Sequence, residues 1–243
     1  MRTDAFNVVH EFERALCDYT GAPHCVAVSS CTMALLLAMA WHLRKLPSGD
    51  QMVVWARERT LPEIDQWTQK HGGRSEIEIP KRTYVSVPMS IIHAGGWPAF
   101  RDEDWKGAYR LHPLPIWDSA RRLRRGMYHW STRWNPPANE DAPALHGDMV
   151  CLSFHWSKIL GIQQGGAILL TDPEADAWLR RARFDGRREG VAPKDDEILL
   201  GWHAYLSPES AAAGLVRMQF LPDDNEDLPN DDYPDLSKME VFK

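Results

Sequence analysis

Apolar runs of strand length alternate with stretches of helical periodicity from Val8 to Met218, and this alternation restricts the fold more than any other feature of the 243-residue chain. Val8, Val9, Phe12, Ala15 and Leu16 recur at one-face helical spacing, and that segment stops at the turn pair Thr20-Gly21. Cys25–Val28 reads as a short buried strand. Met33–Ala40, apolar all round, reads as a buried helix. Further strands are expected at Ile77–Pro80, Pro98–Phe100, Leu114–Trp117, Met149–Phe154 and Gly166–Leu170, and further helices at Val87–His93, Glu174–Phe184 and Pro208–Met218. Between them lie a short apolar piece at Met52–Trp55, a helix around Pro62–His71 that ends at Gly72-Gly73, and a loop over Trp130–Pro143. Strands alternating with helices imply an α/β domain of three layers, with a mostly parallel central sheet flanked by helices on both faces.

Composition narrows the class further. No apolar run is long enough to span a bilayer, and nothing behind Met1-Arg2-Thr3-Asp4 resembles a secretory leader. Four cysteines without a Cys-x-x-Cys pair make no disulfide framework, and neither they nor the histidines have metal-ligand spacing. A cytoplasmic protein without a metal is the expectation. The formal charge of −6 resides in the last 22 residues, where eight acidic side chains meet two lysines, so residues 1–221 are neutral overall and do not form a globally basic nucleic-acid binder. Residues 222–243 also carry three prolines and little apolar material. They read as an acidic tail, flexible or draped over the preceding domain of residues 1–221.

Polar residues with chemical potential stand at the ends of predicted strands, where open α/β sheets place their ligands. Ser29–Thr32 opens the buried helix at Met33, and unpaired N–H groups at a helix start make an anion cradle; helix capping by Ser and Thr is the ordinary alternative. Asp118 follows Leu114–Trp117, and Ser153 and Lys158 follow Met149–Leu152. An anion cradle, a carboxylate and an amine together suit pyridoxal phosphate. A lysine forms a Schiff base with it, a carboxylate keeps its ring nitrogen protonated, and helix N-termini with hydroxyls hold its phosphate.

Several blocks then fall in a recognisable order. They are Phe12–Leu16 through Tyr19-Thr20-Gly21 with Val26–Leu35; Ile79–Ser86 followed by Ala94–Phe100; Ser153-Phe154-His155-Trp156-Ser157-Lys158 with Gly165-Gly166-Ala167; and Gly201-Trp202-His203 through Ala211–Gly214. Over roughly residues 5–220 the chain resembles the DegT/StrS-type sugar aminotransferases, pyridoxal-phosphate enzymes of fold type I. The resemblance implies the large domain of that fold, with an insertion around 56–74 and without the family's smaller carboxy-terminal domain.

By the same resemblance Lys158 would carry the cofactor and shuttle the proton, and Asp118 would pair with its ring nitrogen. Cys31, Thr32 and Ser153 would hold its phosphate, and Tyr84 would stack on its ring. Arg121 stands where the family has an amide near the cofactor's phenolic oxygen. His203 stands where family members offer an asparagine to the neighbouring subunit's phosphate, and Tyr205 where they have an arginine. A homodimer with shared active sites is implied. The expected reaction moves an amino group from an amino acid, glutamate foremost, to a keto-sugar nucleotide. A trimmed enzyme acting on a modified nucleotide or nucleic acid, or a cofactor-binding relative without catalysis, are the alternatives.

Two arginine clusters bear on that choice. Arg121, Arg122, Arg124 and Arg125 follow Asp118 closely and could meet a diphosphate or a polynucleotide backbone. Arg180, Arg181, Arg183, Arg187 and Arg188 lie on or after an amphipathic helix and read as a solvated face.

Overall fold

The computed structural model describes residues 5–45, 72–128, 148–230 and 233–243. The expected pieces at Met52–Trp55, Pro62–His71 and Trp130–Pro143 lie outside the described residues, as does almost all of the insertion at 56–74.

Helix α1 (Asn7–Thr20) ends where Gly21, at φ 80°, turns left-handed and donates its N–H to the Cys17 carbonyl. Strand β1 (His24–Val28) follows and leads through Ser29-Ser30 into α2 (Cys31–Lys45). Then come β2 (Glu76–Pro80), α3 (Ser86–His93), β3 (Trp97–Arg101), β4 (Tyr109–Arg110), β5 (Ile116–Asp118), β6 (Met149–Ser153) and β7 (Gly166–Leu170). Helices α4 (Pro173–Ala182) and α5 (Pro208–Met218) complete the frame. Both start as a helix should: Asp172 and Ser207 accept N–H bonds from the first turn, and a proline occupies the first helical position.

Five strands form one sheet in the order β1-β7-β6-β5-β4, and β2 pairs with β3 separately. Strands β1, β6 and β5 run in one direction, while β7 and β4 run against them. The two sheets are joined at a single residue beyond β4. Glu78 of β2 donates its N–H to the His112 carbonyl at 2.8 Å and accepts the His112 N–H at 3.1 Å, an antiparallel bridge that points β2 and β3 the same way as β5.

Five of the seven described strands therefore share a direction, as the alternation predicts. The two opposed strands are interleaved among them, so the sheet is mixed, and only the β5/β6 and β2/β3 ladders are parallel. Strand β4, two residues long, carries no periodicity and was not expected from the sequence.

Alternation of side chains along the strands fills two cores. Val26, Val28, Cys151 and Ile168 face α2, α3 and α4, and Cys25, Ala27, Val150 and Leu169 face α1 and α5. Helices α1 and α5 meet closely because residue 214 is glycine; a Cβ there would press into the Phe12 ring.

The expectation of a solvated arginine face on α4 is corrected. Arg183 is fully buried and Arg180 half-buried, and both clamp the buried Glu13 of α1; Arg180 also donates to the Cys25 carbonyl at 2.9 Å and Arg183 to that of Ala27 at 2.6 Å. Burial by itself would raise the Glu13 carboxyl. Arg183, His10 and Arg180 override it and hold Glu13 well below the usual carboxylate range.

Residues 222–243, read as an acidic tail that is flexible or draped, touch the preceding residues at several described points. Asp227 is buried against Arg122 and Arg124, the Leu228 N–H donates to the Arg121 carbonyl at 2.9 Å, and the Leu236 N–H donates to that of Lys81. Leu236 and Phe242 are buried, the latter beside Phe100. Acidic side chains meeting basic ones, together with the buried Leu236 and Phe242, hold this strap down. Among the described residues no helix is long and apolar enough to cross a membrane.

Candidate active site

Strands β1, β2, β5 and β6 all deliver their carboxyl ends to one place. There a cavity of about 470 Å³ opens, lined by the residues that follow or end each strand. Seven of the eight site residues expected from the sequence line it: Cys31, Thr32, Tyr84, Asp118, Arg121, Ser153 and Lys158.

The β1–α2 turn supplies the cavity's floor. Ser30 caps α2, its Oγ accepting the Met33 N–H at 3.2 Å and its carbonyl the Ala34 N–H at 3.0 Å. First-turn N–H groups of a helix lack intrahelical acceptors and carry partial positive charge. Thr32 Oγ1 lies 2.8 Å from the Ser86 hydroxyl at the start of α3, so two helix starts and their hydroxyls converge. The turn can lie against β7 only because residue 166 is glycine; a Cβ there would collide with the Ser30–Cys31 backbone.

Asp118, the last residue of β5, is buried. Its Oδ1 accepts the Ala120 N–H at 3.0 Å and its Oδ2 the Tyr109 hydroxyl at 2.8 Å. Burial raises its carboxyl above the usual carboxylate range, against the pull of those two hydrogen bonds and of the charges on Lys158 and Arg121.

Lys158 sits half-buried in the loop after β6, which is shaped by a 2.9 Å hydrogen bond between His155 Nδ1 and Ser157 Oγ. Burial, and then repulsion from Arg121, lower the Lys158 amine from its ordinary value, while Asp118 opposes them. A depressed lysine holds more neutral, nucleophilic amine near neutral pH.

Arg121 faces the cavity too, but its guanidinium is engaged by the strap. It donates to Tyr233 Oη at 2.9 Å and to the Pro229 carbonyl, and lies 5.0 Å from the centre of the Tyr233 ring. Its neighbours Arg122 and Arg124 pair with Asp227, and Arg125 with Asp223. Three of the four arginines of the first cluster are thus ion-paired within the chain and Arg121 is held by neutral groups of the strap, which weakens the support the cluster lent to a nucleic-acid substrate.

Tyr84 stands at the mouth, 57% exposed, with Tyr233 opposite at 6.4 Å between ring centres. His203 is apart from the cavity. Its ring is exposed, packs against Tyr205, and lies 3.1 Å from Asp185.

Three lining or supporting residues were missed. Tyr109 and Thr83 stand behind Asp118, and Tyr233 comes from the strap. The signal for Thr83 and Tyr84 was their place after a strand; Tyr109 and Tyr233 lie in segments without periodicity.

The donor set fits pyridoxal phosphate, and Asp118 is the observation that decides it. Both its hydrogen-bond donors are neutral, and burial leaves the carboxylate wanting a cation. A protonated ring nitrogen in the cavity is such a partner, with Lys158 available to the aldehyde and the α2 start, Thr32 and Ser153 to the phosphate.

The chain is similar to known aminotransferases. At 25% identity over 239 residues the chain is similar to L-glutamine:scyllo-inosose aminotransferase of Streptomyces griseus, covering 88% of this chain and 52% of that one. At 22% identity over 224 residues it is similar to UDP-4-amino-4,6-dideoxy-N-acetyl-beta-L-altrosamine transaminase of Campylobacter jejuni, covering 88% and 57%. Among solved structures the fold is similar to that of sugar aminotransferase CalS13 from Micromonospora echinospora, with a TM-score of 0.60, 18% identity, and coverage of 88% and 60%. The chain spans about half the length of the curated relatives it matches. A family model matches residues 3–57 and 143–227, which include the α2 cradle, Ser153, Lys158 and His203. Tyr84, Tyr109, Asp118 and Arg121 lie in the unmatched middle, yet the fold brings three of these four to the same cavity as the matched lysine, with Tyr109 directly behind. With that lysine, that cradle and that fold in place, the chain belongs to the DegT/DnrJ/EryC1/StrS aminotransferase family.

Proposed function

We propose that this protein is a pyridoxal-phosphate-dependent aminotransferase that moves an amino group from an amino acid, with glutamate as the expected donor, to a keto-sugar nucleotide. The carrying observation is that Lys158 and Asp118 face one cavity whose floor is a helix start ringed with hydroxyls. The nucleotide-sugar acceptor rests on the similarity to a transaminase named for a UDP-amino sugar.

When bound, pyridoxal phosphate supplies an aldehyde that condenses with amines and a protonated ring that withdraws electrons from the carbon being deprotonated. The chain's residues do the rest. Lys158 provides an amine kept partly neutral by burial and by Arg121, and its Nζ then holds the proton that moves at the substrate carbon. Asp118 accepts from the ring N–H. The Cys31 and Thr32 N–H groups, the Thr32 hydroxyl and Ser153 bind the phosphate, and Tyr84 covers the ring.

Residues 1–221 form the cofactor-binding domain in this reading, and 222–243 a strap upon it. The protein works in the cytoplasm as a homodimer, with His203, exposed and away from its own cavity, reaching the neighbouring subunit's phosphate.

The experiment is reduction of the cofactor-loaded protein with borohydride, followed by peptide mapping. A stable pyridoxyl group on Lys158 is expected. Failure to take up the cofactor, or labelling of another lysine, overturns the proposal.

A further inference from the structure

Behind Asp118 lies a buried chain of hydroxyl groups. Tyr109 and Asp118 are direct cross-strand partners on β4 and β5, and Tyr109 Oη is 2.8 Å from Asp118 Oδ2. Thr83 Oγ1 is 2.7 Å from the same Tyr109 oxygen. Tyr109 is 4% exposed and Thr83 1%.

The direction of these bonds follows from chemistry. An ionised carboxylate only accepts, so Tyr109 must donate to Asp118. The tyrosine's single proton is then spent, so the Thr83 hydroxyl donates to Tyr109. Burial pushes the Tyr109 phenol well above its ordinary value, so it stays a donor throughout the working range.

We propose that Tyr109, backed by Thr83, is a positioning residue that fixes the Asp118 carboxylate in the orientation it presents to the cavity and keeps it an acceptor there. This rests on the pyridoxal reading for its meaning, since the acceptor's partner is the cofactor's ring nitrogen. Donation from Tyr109 draws charge from the carboxylate and makes it less basic, so a proton shared with the ring stays on the ring. The Ala120 N–H does the same at Oδ1.

The charged and titratable groups that bear on Asp118 come from every side. They are Lys158 after β6, Arg121 after β5, Cys31 at the start of α2, Cys151 on β6 and Tyr109 on β4. Among them only Tyr109 is hydrogen-bonded to the carboxylate. Its removal leaves the buried oxygen Oδ2 without that donor.

The test is carboxyl-13C NMR titration of Asp118 in the cofactor-free protein, the signal assigned by its loss in Asp118→Asn. Tyr109→Phe should raise the Asp118 midpoint by about one pH unit, a tenfold gain in proton affinity. Thr83→Val should raise it less, and Thr83→Ser should restore the parent value. If Tyr109→Phe fails to fold, Thr83→Val against Thr83→Ser decides. Parent-like titration in every folded variant overturns the proposal. Cofactor uptake by the parent, measured alongside, tests the pyridoxal reading separately, because the carboxylate titration needs no cofactor.

Discussion

Asp227 of the strap and Arg122 beside the cavity, 105 residues apart in sequence, form a two-point ion pair: both Nε and Nη2 of the arginine lie within 3.1 Å of the buried carboxylate. Arg124 adds a contact at 3.1 Å, and Gly107, at φ 73°, leaves room for the carboxylate where a Cβ would collide with it. The strap's course past Arg121 and into the cavity wall at Tyr233 starts from this anchor. Asp227→Ala leaves two half-buried guanidinium groups without their carboxylate and should cost about 1–3 kcal/mol. Urea unfolding should show that loss, and limited proteolysis should cut the variant within 222–243 far faster than the parent. Equal cutting rates would mean that the anchor does not hold the strap.

The second buried charge cluster joins the ends of the large domain. Glu13 of α1 receives Arg180 of α4, Arg183 just beyond that helix, and the Ala27 N–H of β1 at 2.8 Å. Glu13→Gln keeps the shape but strands the fully buried Arg183 charge, and breaking such a pair costs about 3–5 kcal/mol. Denaturant unfolding measures it. A loss under 1 kcal/mol would show that Glu189, 3.0 Å from Arg183, suffices alone.

The same cluster sets a pH window. The hydrogen bond to Glu13, and then the charge of Glu189, raise the His10 imidazole against the effect of burial. A raised value in the folded state means that His10 adds stability fully below its ordinary value of 6.5, and that this is lost as pH rises through the raised one. Glu13 is depressed, so its contribution is present above the ordinary carboxylate value of 4.5 and fades as pH falls toward its folded value. The stability difference between parent and His10→Gln should therefore be larger at pH 5.5 than at pH 8.5. Urea midpoints at those two pH values check it, and a constant difference would rule it out.

How much of this was legible follows from what each interaction needs. Asp118 and the segment after β6 were readable because strands β5 and β6 are apolar runs and ligands gather at strand ends; the Ser153–Lys158 block's family resemblance then singled out Lys158, and the fold sets both residues on one cavity. Strand β4 was not readable. Two residues cannot show a period of two, and its pairing is with β5, through Tyr109 opposite Asp118 and Arg110 opposite Trp117, which no local pattern announces. Arg183 was misread because helix periodicity places a residue on a face but does not say that Glu13, 170 positions away, will meet it there. The strap has the composition of a disordered segment, and only its partner arginines, remote in sequence, make its charge an anchor.

Arg121 controls the amine at Lys158 in a way that kinetics can read. Its charge, after burial, lowers the lysine, and the neutral amine is the form that attacks an aldehyde. Arg121→Gln removes the repulsion, so the Lys158 amine should titrate at higher pH. The rate of pyridoxal-phosphate uptake, followed by visible absorbance, should then reach half its plateau at a higher pH than in the parent. An unchanged midpoint would place the lysine's depression on burial alone.

Lys158→Ala separates chemistry from structure. The side chain is half-buried at a cavity wall, and among the described residues no hydrogen bond ties its Nζ to the fold, so truncation exposes little apolar surface and should move unfolding by less than about 1 kcal/mol. The phosphate cradle at α2 and the carboxylate of Asp118 are untouched, so the variant should still bind the cofactor, reversibly and without a borohydride-stable link. Turnover should fall below detection, because the proton that leaves and re-enters at the substrate carbon has lost its carrier. Amino-group transfer at the parent rate would show that another base stands in the cavity, and His155, exposed on the same wall, would be the residue to replace next.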